Sequence, residues 1–166
     1  MRHSTSFTLE PITQNMCSVI APLHALCFDD SLTVDVLKNL ISSPGVFGYL
    51  IPINSNVLGF IICRSISAEG EILSLAVAPH TRRNGLGLCL INEAKSYAIK
   101  NGLNALFLEV AEDNYPAKQL YLKAGFWKVG RRSKYYRRKN GLNLDANIFK
   151  CGLTQDTKFS SAKGRL

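Results

Sequence analysis

The stretch from Glu71 to Lys100 constrains the fold more than any other part of this sequence. An apolar run typical of a strand ends at Val77, a short polar loop follows, and Gly85-Leu86-Gly87 opens a segment with helical periodicity. Glycines at a helix start let backbone amides approach a ligand closely, and the positive end of the helix dipole favours a negative charge. With Arg82 and Arg83 beside it, this spacing predicts a strand–loop–helix unit that can cradle a diphosphate.

The glycine spacing excludes the two commonest phosphate loops. A Walker loop needs a lysine directly after its last glycine, and Leu88 follows Gly87 here. A dinucleotide fingerprint needs a third glycine at the position of Leu90. Taken alone, an Arg-x-x-Gly-x-Gly pattern is compatible with a ligand cradle and with a plain structural turn.

The remaining segments predict an α/β fold, with one mixed central sheet of six to seven strands and about four flanking helices. We expect Thr13 and Thr33 to cap the first two helices and Pro22 to kink or split the first. Strands are predicted at residues 7–10, 46–53, 57–66, 71–77, 104–111, 126–136 and 142–151, and helices at residues 13–28, 33–40, 85–100 and 116–124.

Length and composition predict one domain. The chain has 166 residues, of which 46% are hydrophobic, and we assign residues 1–153 to the domain and residues 154–166 to a flexible basic tail. No apolar run approaches the roughly 18 residues of a membrane span, so we expect no membrane contact. The five cysteines are odd in number and none are spaced as in a zinc motif. We therefore expect free thiols, no metal site and a cytoplasmic location.

The positive charge lies at the carboxyl-terminal end. Residues 123–166 carry 12 Lys and Arg against 2 Asp and Glu, whereas residues 1–122 carry 8 against 10. The excess is densest between Lys128 and Lys139. A solvated face, contact with a ribosome or RNA, and attraction of another acidic partner all remain open.

Several motifs in order resemble the GNAT N-acetyltransferases. The segment 75–87 resembles their acetyl-coenzyme A (acetyl-CoA) loop, 108–114 their fifth strand, and 120–126 their Leu-Tyr-x-x-x-Gly-Phe signature. The segment 131–136, followed by Asp145-Ala146, resembles the RimI-type branch, the bacterial ribosomal-protein-alanine acetyltransferases. The resemblance covers Phe7 to Leu153. That branch usually carries a Pro-Trp pair at the turn where this chain reads Cys27-Phe28-Asp29-Asp30-Ser31, which leaves the exact acceptor open.

The resemblance implies a single GNAT-like domain that uses acetyl-CoA as co-substrate. Backbone groups of the fourth strand would pair with the pantetheine arm, the glycine loop would wrap the pyrophosphate, and an asparagine before the last helix would bond the arm. A helix cap is the alternative role for that asparagine. The implied coenzyme-binding residues are Leu75, Ala76, Val77, Arg82, Arg83, Asn84, Gly85, Leu86, Gly87, Leu88 and Asn114.

Two residues are candidates for proton transfer. Glu109 lies on the strand face opposite Leu108, where a carboxylate is unexpected in a covered sheet unless that face opens into a cleft. The resemblance makes it the general base, and an exposed or ion-paired glutamate is the alternative. Tyr121 would be the general acid that protonates the leaving thiolate, and the alternative is a core aromatic. Tyr135 and Tyr136 would line a peptide entrance or pack on the sheet.

The resulting hypothesis is acetylation of a protein amino terminus, first of all the amino-terminal alanine of a small-subunit ribosomal protein. Acidic residues near that terminus should help, because Arg131, Arg132, Arg137 and Arg138 can meet them in charge-assisted pairs. Acetylation of a small amine or a lysine side chain is the alternative, and a basic nucleic-acid-binding module is a third possibility.

Overall fold

The structure, a computed structural model, describes residues 7–137, 141 and 143–153, with the side chain of Arg137 excepted. Within these residues, seven strands form one sheet in the order β1-β2-β3-β4-β5-β7-β6, and four α-helices flank it. This confirms the predicted α/β fold. The elements are β1 (Glu10–Pro11), α1 (Cys17–Cys27), α2 (Val34–Ile41), β2 (Val46–Ile53), β3 (Asn56–Ile66), β4 (Glu69–Val77), α3 (Leu86–Lys100), β5 (Ala105–Ala111), α4 (Tyr115–Lys123), β6 (Trp127–Arg137) and β7 (Asn143–Gly152).

The amino-terminal predictions need correction at three points. The first strand is only Glu10–Pro11, because Phe7 and Leu9 pack against the core instead of pairing. Thr13 makes no side-chain cap, since a 3-10 turn precedes α1. Pro22 does not split α1, which runs unbroken and packs on β3 and β4. Its missing N–H removes one hydrogen bond from the helix, and the packing of α1 outweighs that loss.

Most other boundaries follow the predictions within two residues. Thr33 caps α2 as predicted, with its hydroxyl oxygen accepting from the Val36 amide at 3.4 Å. The tail 154–166 and most of the predicted turn between the last two strands lie outside the described residues. Within the described part of the chain, no helix is long and apolar enough to span a membrane.

Two apolar clusters cover the sheet unequally. The first includes Leu90 of α3, Leu106 of β5 and Phe126, and lies on the α3 and α4 side. The second lies under α1 and α2, with Ile20 and Phe60 fully buried, and draws no residue from β5, β6 or β7. Among the described residues, the last three strands therefore have one face that this second core leaves uncovered.

A bulge in β4 opens a wedge in the sheet. Among the described strands, the ladder between β4 and β5 is the one parallel pair, and it runs from Glu69–Ala105 only as far as Ile72–Leu108. Directly afterwards Leu73 is skipped in the pairing with β3. Such a bulge bends a strand and turns its side chains over, and Ile72 indeed joins the first cluster whereas Ala76 joins the second. Beyond the bulge β4 pairs with β3 alone and β5 with β7 alone.

Candidate active site

The amino terminus of α3 is a site where backbone N–H groups are free to bind an anion. Gly85 caps this helix with φ 84°, and no side chain of the described residues caps it. The first amides of a helix have no partner within the helix, so those at the start of α3 are available to a ligand. A Cβ at Gly85 would meet nothing within 4 Å. Gly85 is thus required by the backbone conformation and not by crowding.

Gly87 has a different reason to be glycine. It is buried, and a Cβ there would stand 2.8 Å from Cδ2 of Leu120 in α4. The close approach of α3 and α4 therefore explains the missing side chain. Its backbone amide still lies in the first turn of α3, where the sequence places it for phosphate binding.

The loop before α3 is braced by its own side chains. The Arg82 guanidinium donates through Nε to the Val77 carbonyl at 3.0 Å and lies 3.5 Å from the Cys27 sulfur. The side-chain amide of Asn84 donates through Nδ2 to the Thr81 carbonyl at 3.3 Å. Arg83 is exposed with φ 64°. Arg82 and Asn84 thus shape the loop, and both arginines are exposed to solvent.

Glu109 lies at the mouth of the wedge, one residue past the last β4–β5 pair. Its side chain is 14% exposed, and its Oε1 lies 3.0 Å from Nη1 of Arg132 in β6. The Tyr135 hydroxyl bonds the same carboxylate, which, together with burial, raises the pKa of Tyr135. The Tyr136 hydroxyl donates to the Glu109 carbonyl at 3.0 Å. The ion-paired alternative for Glu109 is therefore observed, and both tyrosines contact this residue.

Tyr121 is a core aromatic on the other face of β5. It is 8% exposed and belongs to the first cluster, with ring centroids 5.9 Å from Phe126 and 6.4 Å from Phe149. Burial raises the pKa of its phenol well above the ordinary value, and neighbouring Tyr136 adds to this. The hydroxyl therefore holds its proton throughout the physiological range.

Asn114 caps α4 as the alternative interpretation predicted. Its Oδ1 accepts from the Ala117 amide at 3.2 Å. The cap does not by itself exclude a ligand contact, because an amide side chain also carries two N–H donors. The coenzyme role of Asn114 stays a prediction.

The arginines expected to meet acidic peptides already have partners. Arg131 lies 3.0 Å from Glu112 and 2.7 Å from Asp145, and Arg132 pairs with Glu109. The Arg137 side chain and Arg138 lie outside the described part of the chain.

Sequence reasoning missed three contributors to this region. The ion pair of Arg132 with Glu109 was not expected, nor was the hydrogen bond that Asp145 accepts from the β6 backbone. The third is Ser74, whose buried hydroxyl has no hydrogen-bond partner among the described residues. The Arg131-Arg132 pair and the Asp145 motif were visible in the sequence. The register that brings them together was not, because two irregularities displace β6 against β7.

Comparison with known proteins decides the family. The profile of the acetyltransferase (GNAT) family matches residues 17–126. The chain belongs to this family. Over 100 residues it is 32% identical to the [ribosomal protein bS18]-alanine N-acetyltransferase of Haemophilus influenzae, which covers 60% of this chain and 68% of that protein.

Solved structures show the same fold. The crystal structure of the ribosomal-protein-S18-alanine N-acetyltransferase from Escherichia coli has a TM-score of 0.82 at 21% identity, covering 93% of this chain and 98% of that one. Arabidopsis thaliana NAA60, crystallised in complex with acetyl-CoA, has a TM-score of 0.78 at 20% identity, covering 89% and 99%.

As a GNAT enzyme, the chain is an acetyl-CoA-dependent N-acetyltransferase. Its own residues fit that co-substrate: the uncapped start of α3, with open space beside Gly85, suits the pyrophosphate, and the wedge exposes one edge of β4. Peptide-like amides of the pantetheine arm can pair with such an edge as an added strand does.

A buried histidine holds the turn that follows α1. This is the turn at which the RimI-type branch usually carries a Pro-Trp pair. His24 is 4% exposed, and its Nδ1 accepts from the Leu32 amide at 3.2 Å. Its ring packs against Phe28 in a tilted arrangement, with centroids 4.4 Å apart, and stacks on Phe60 at 6.1 Å. Burial lowers the pKa of His24, which favours the neutral ring that this acceptor role requires.

Proposed function

We propose that this GNAT enzyme acetylates protein amino termini, with the amino-terminal alanine of a small-subunit ribosomal protein as the first candidate acceptor. One observation carries the proposal: Glu109 lies at the mouth of the wedge, and Tyr121 lies in the first cluster on the opposite face of β5. An acyl group placed between them has a proton acceptor on one side and a proton donor on the other. The similarity to the Haemophilus influenzae enzyme supports the choice of acceptor.

Acetyl-CoA supplies an activated acyl carbon whose thiolate can leave. Glu109, directly or through a water, takes a proton from the acceptor amine, which then forms the new C–N bond as the C–S bond breaks. Tyr121 returns a proton to the leaving sulfur, and its high pKa keeps that proton available. Backbone N–H groups of β4 beyond the bulge stabilise the charge that develops on the carbonyl oxygen.

The coenzyme-binding assignments rest on this geometry and on the family. We propose that the α3 start and its loop hold the pyrophosphate while the free edge of β4 pairs with the pantetheine arm. The residues assigned to the coenzyme are Leu75, Ala76, Val77, Arg82, Arg83, Asn84, Gly85, Leu86, Gly87, Leu88 and Asn114.

The acceptor peptide would lie on the uncovered side of β5, between Tyr135 and Tyr136 on β6 and the turn that follows α1. Tyr135 is 47% exposed, so one wall of this route is an accessible aromatic ring. The missing Pro-Trp pair alters the opposite wall. Ribosome or RNA contact between Lys128 and Lys139, and a cytoplasmic location, remain predictions.

The decisive experiment offers the enzyme acetyl-CoA and a panel of amino-terminal peptides that differ in the first residue, with free lysine and polyamines in parallel. Mass spectrometry locates the acetyl group on each product. We expect modification at the α-amine, with alanine and other small first residues preferred. Preferential modification of lysine side chains or polyamines would contradict the amino-terminal assignment and leave the acetyltransferase activity in place.

A further inference from the structure

We infer that Asp145 is a positioning residue that fixes the shape of β6 so that Arg132, Tyr135 and Tyr136 all reach Glu109. The inference rests on the proposed function, since it assigns a purpose to the groups around the proposed base. Asp145 lies in β7 and contacts neither Glu109 nor the wedge in any observed hydrogen bond or ion pair. It acts through the backbone of β6.

The device is an unusually wide bulge. Arg132 pairs with Ala146 and Tyr136 pairs with Leu144, so three residues of β6 stand opposite Asp145 alone. A bulge usually sets two residues against one. The two extra residues shift the register by two, and Tyr135 and Tyr136 both contact Glu109, one at its carboxylate and the other at its carbonyl.

This bulge requires a backbone conformation that its own residue disfavours. Lys134 has φ 53°, in the left-handed region that residues other than glycine rarely adopt. Asp145 accepts the Lys134 amide through Oδ1 at 2.8 Å, and this bond holds the conformation in place. Without it, nothing else among the observed hydrogen bonds ties the Lys134 amide to β7.

The second carboxylate oxygen of Asp145 joins the bulge to the end of β5. Its Oδ2 lies 2.7 Å from Nε of Arg131, whose Nη2 lies 3.0 Å from Glu112. The Glu112 amide in turn donates to the Asp145 carbonyl at 3.0 Å. Glu112 is three residues beyond Glu109. Asp145 therefore contacts both the end of β5, the strand that carries the proposed base, and β6, the strand whose side chains contact that base.

The test compares Asp145→Ala with the wild type and with Glu71→Gln. The control removes an ion pair of the same sheet, between Glu71 and Arg64 at 3.2 Å. We expect Asp145→Ala to lower kcat for the preferred peptide by about 10- to 100-fold, because misplacing reacting groups by roughly 1 Å costs up to 10²-fold. The dissociation constant of acetyl-CoA should stay within about twofold, and Glu71→Gln should match the wild type.

A second substitution separates positioning from simple stability. Glycine adopts positive φ without strain, so Lys134→Gly in the Asp145→Ala background should recover part of the lost kcat. Asp145→Asn keeps an acceptor for the Lys134 amide and should fall between wild type and Asp145→Ala. Equal kcat in wild type and Asp145→Ala, an equal loss in Glu71→Gln, or no recovery by Lys134→Gly would each overturn the inference.

Hydrogen exchange of the segment 131–136 gives a readout independent of turnover. Asp145→Ala should accelerate exchange of the Lys134 amide, whereas Glu71→Gln should not. If the wild type acetylates no amino terminus, the proposed function falls and the exchange result still decides the role of Asp145. Unchanged exchange in Asp145→Ala would reject the positioning role even in an active enzyme.

Discussion

Three side chains of β6 contact Glu109, and these contacts limit the positions at which its carboxylate can accept a proton. One carboxylate oxygen faces the Arg132 guanidinium at 3.0 Å, and the Tyr135 hydroxyl bonds the same group. A carboxylate offers about four lone-pair positions, so at least one remains for an amine or a water. The pairing therefore fixes the orientation of Glu109 and is compatible with its use as a base.

The proposed roles of Glu109 and Tyr121 predict loss of turnover with retained coenzyme affinity. We expect Glu109→Gln and Tyr121→Phe each to lower kcat by about 10²–10⁴-fold, the usual cost of losing a general base or acid. Tyr115→Phe is the matched control, because Tyr115 opens the same helix and is 68% exposed. Steady-state kinetics and calorimetry with acetyl-CoA measure both quantities, and near-normal kcat in either variant would remove that residue from the mechanism.

His24 predicts how stability depends on acid. Its folded pKa lies below the unfolded value of about 6.5, so the unfolded chain binds the proton first. The contribution of the neutral His24 ring to the free energy of unfolding is complete above that pH. It is lost as the pH falls, by up to about 1.4 kcal/mol per pH unit.

The variant His24→Asn should flatten this dependence, because an amide oxygen can accept from the Leu32 amide without titrating. Urea unfolding at several pH values between about 6.5 and 5 compares the two slopes, a window above the ordinary carboxylate range. Identical slopes in the two proteins would contradict the assignment.

At the scale of elements, the start of α3 separates two uses of glycine. Gly85 is needed for its positive φ, and Gly87 for contact with Leu120. In Gly87→Ala the new Cβ would stand 2.8 Å from Leu120 Cδ2, so we expect the Leu120 side chain to shift and to offset the stabilisation that Gly→Ala usually gives in a helix. Adding Leu120→Ala should relieve that clash.

The matched variant is Gly85→Ala, whose cost arises from backbone strain of about 1–2 kcal/mol. Leu120→Ala should not rescue it, because a Cβ at Gly85 has nothing within 4 Å. Chemical denaturation of the single and double variants gives the free energies of unfolding. Equal behaviour of the two glycines toward Leu120→Ala would show that α3–α4 packing does not explain Gly87.

What the sequence could predict follows from the range of the interactions involved. Periodicity and a local cap placed α2 correctly, because Thr33 and the Val36 amide are neighbours along the chain. The β4 bulge and the β6 bulge were not predicted, since each depends on a partner strand. Lys134 adopts a positive φ beside Asp145, eleven residues away, and no local signal announces that.

The site divides in the same way. Glu109 and Tyr121 were named from motif resemblance, and the structure places them on opposite faces of β5, with Glu109 at the mouth of the wedge. The pairing of Arg131 and Arg132 with carboxylates was not foreseen, because it needs the register of β6. Because these two arginines are already paired, fewer cations are available to attract acidic peptides than the net charge of the chain suggests.

At the scale of the whole molecule, acetyl-CoA should stabilise both parts of the sheet together, since its proposed site uses β4, α3 and α4. At a concentration of 100 times the dissociation constant, a ligand adds about 2.7 kcal/mol, which raises Tm by roughly 5–10 °C for a domain of this size. S-acetylpantetheine at the same molar concentration lacks the diphosphate, should bind more weakly and should give a clearly smaller rise. Equal shifts for the two ligands would contradict the diphosphate site at α3.

The short parallel ladder also decides how the chain assembles. Strands β2, β3 and β4 form a meander through short turns, whereas joining β4 to β5 must wait for the α3 crossover that separates Glu69 from Ala105. Closing that long loop costs entropy before the ladder contributes any stability, so we expect the seam to form late in folding and to open early. The proposed co-substrate site thus lies at the seam of the sheet where we expect local opening to be least costly.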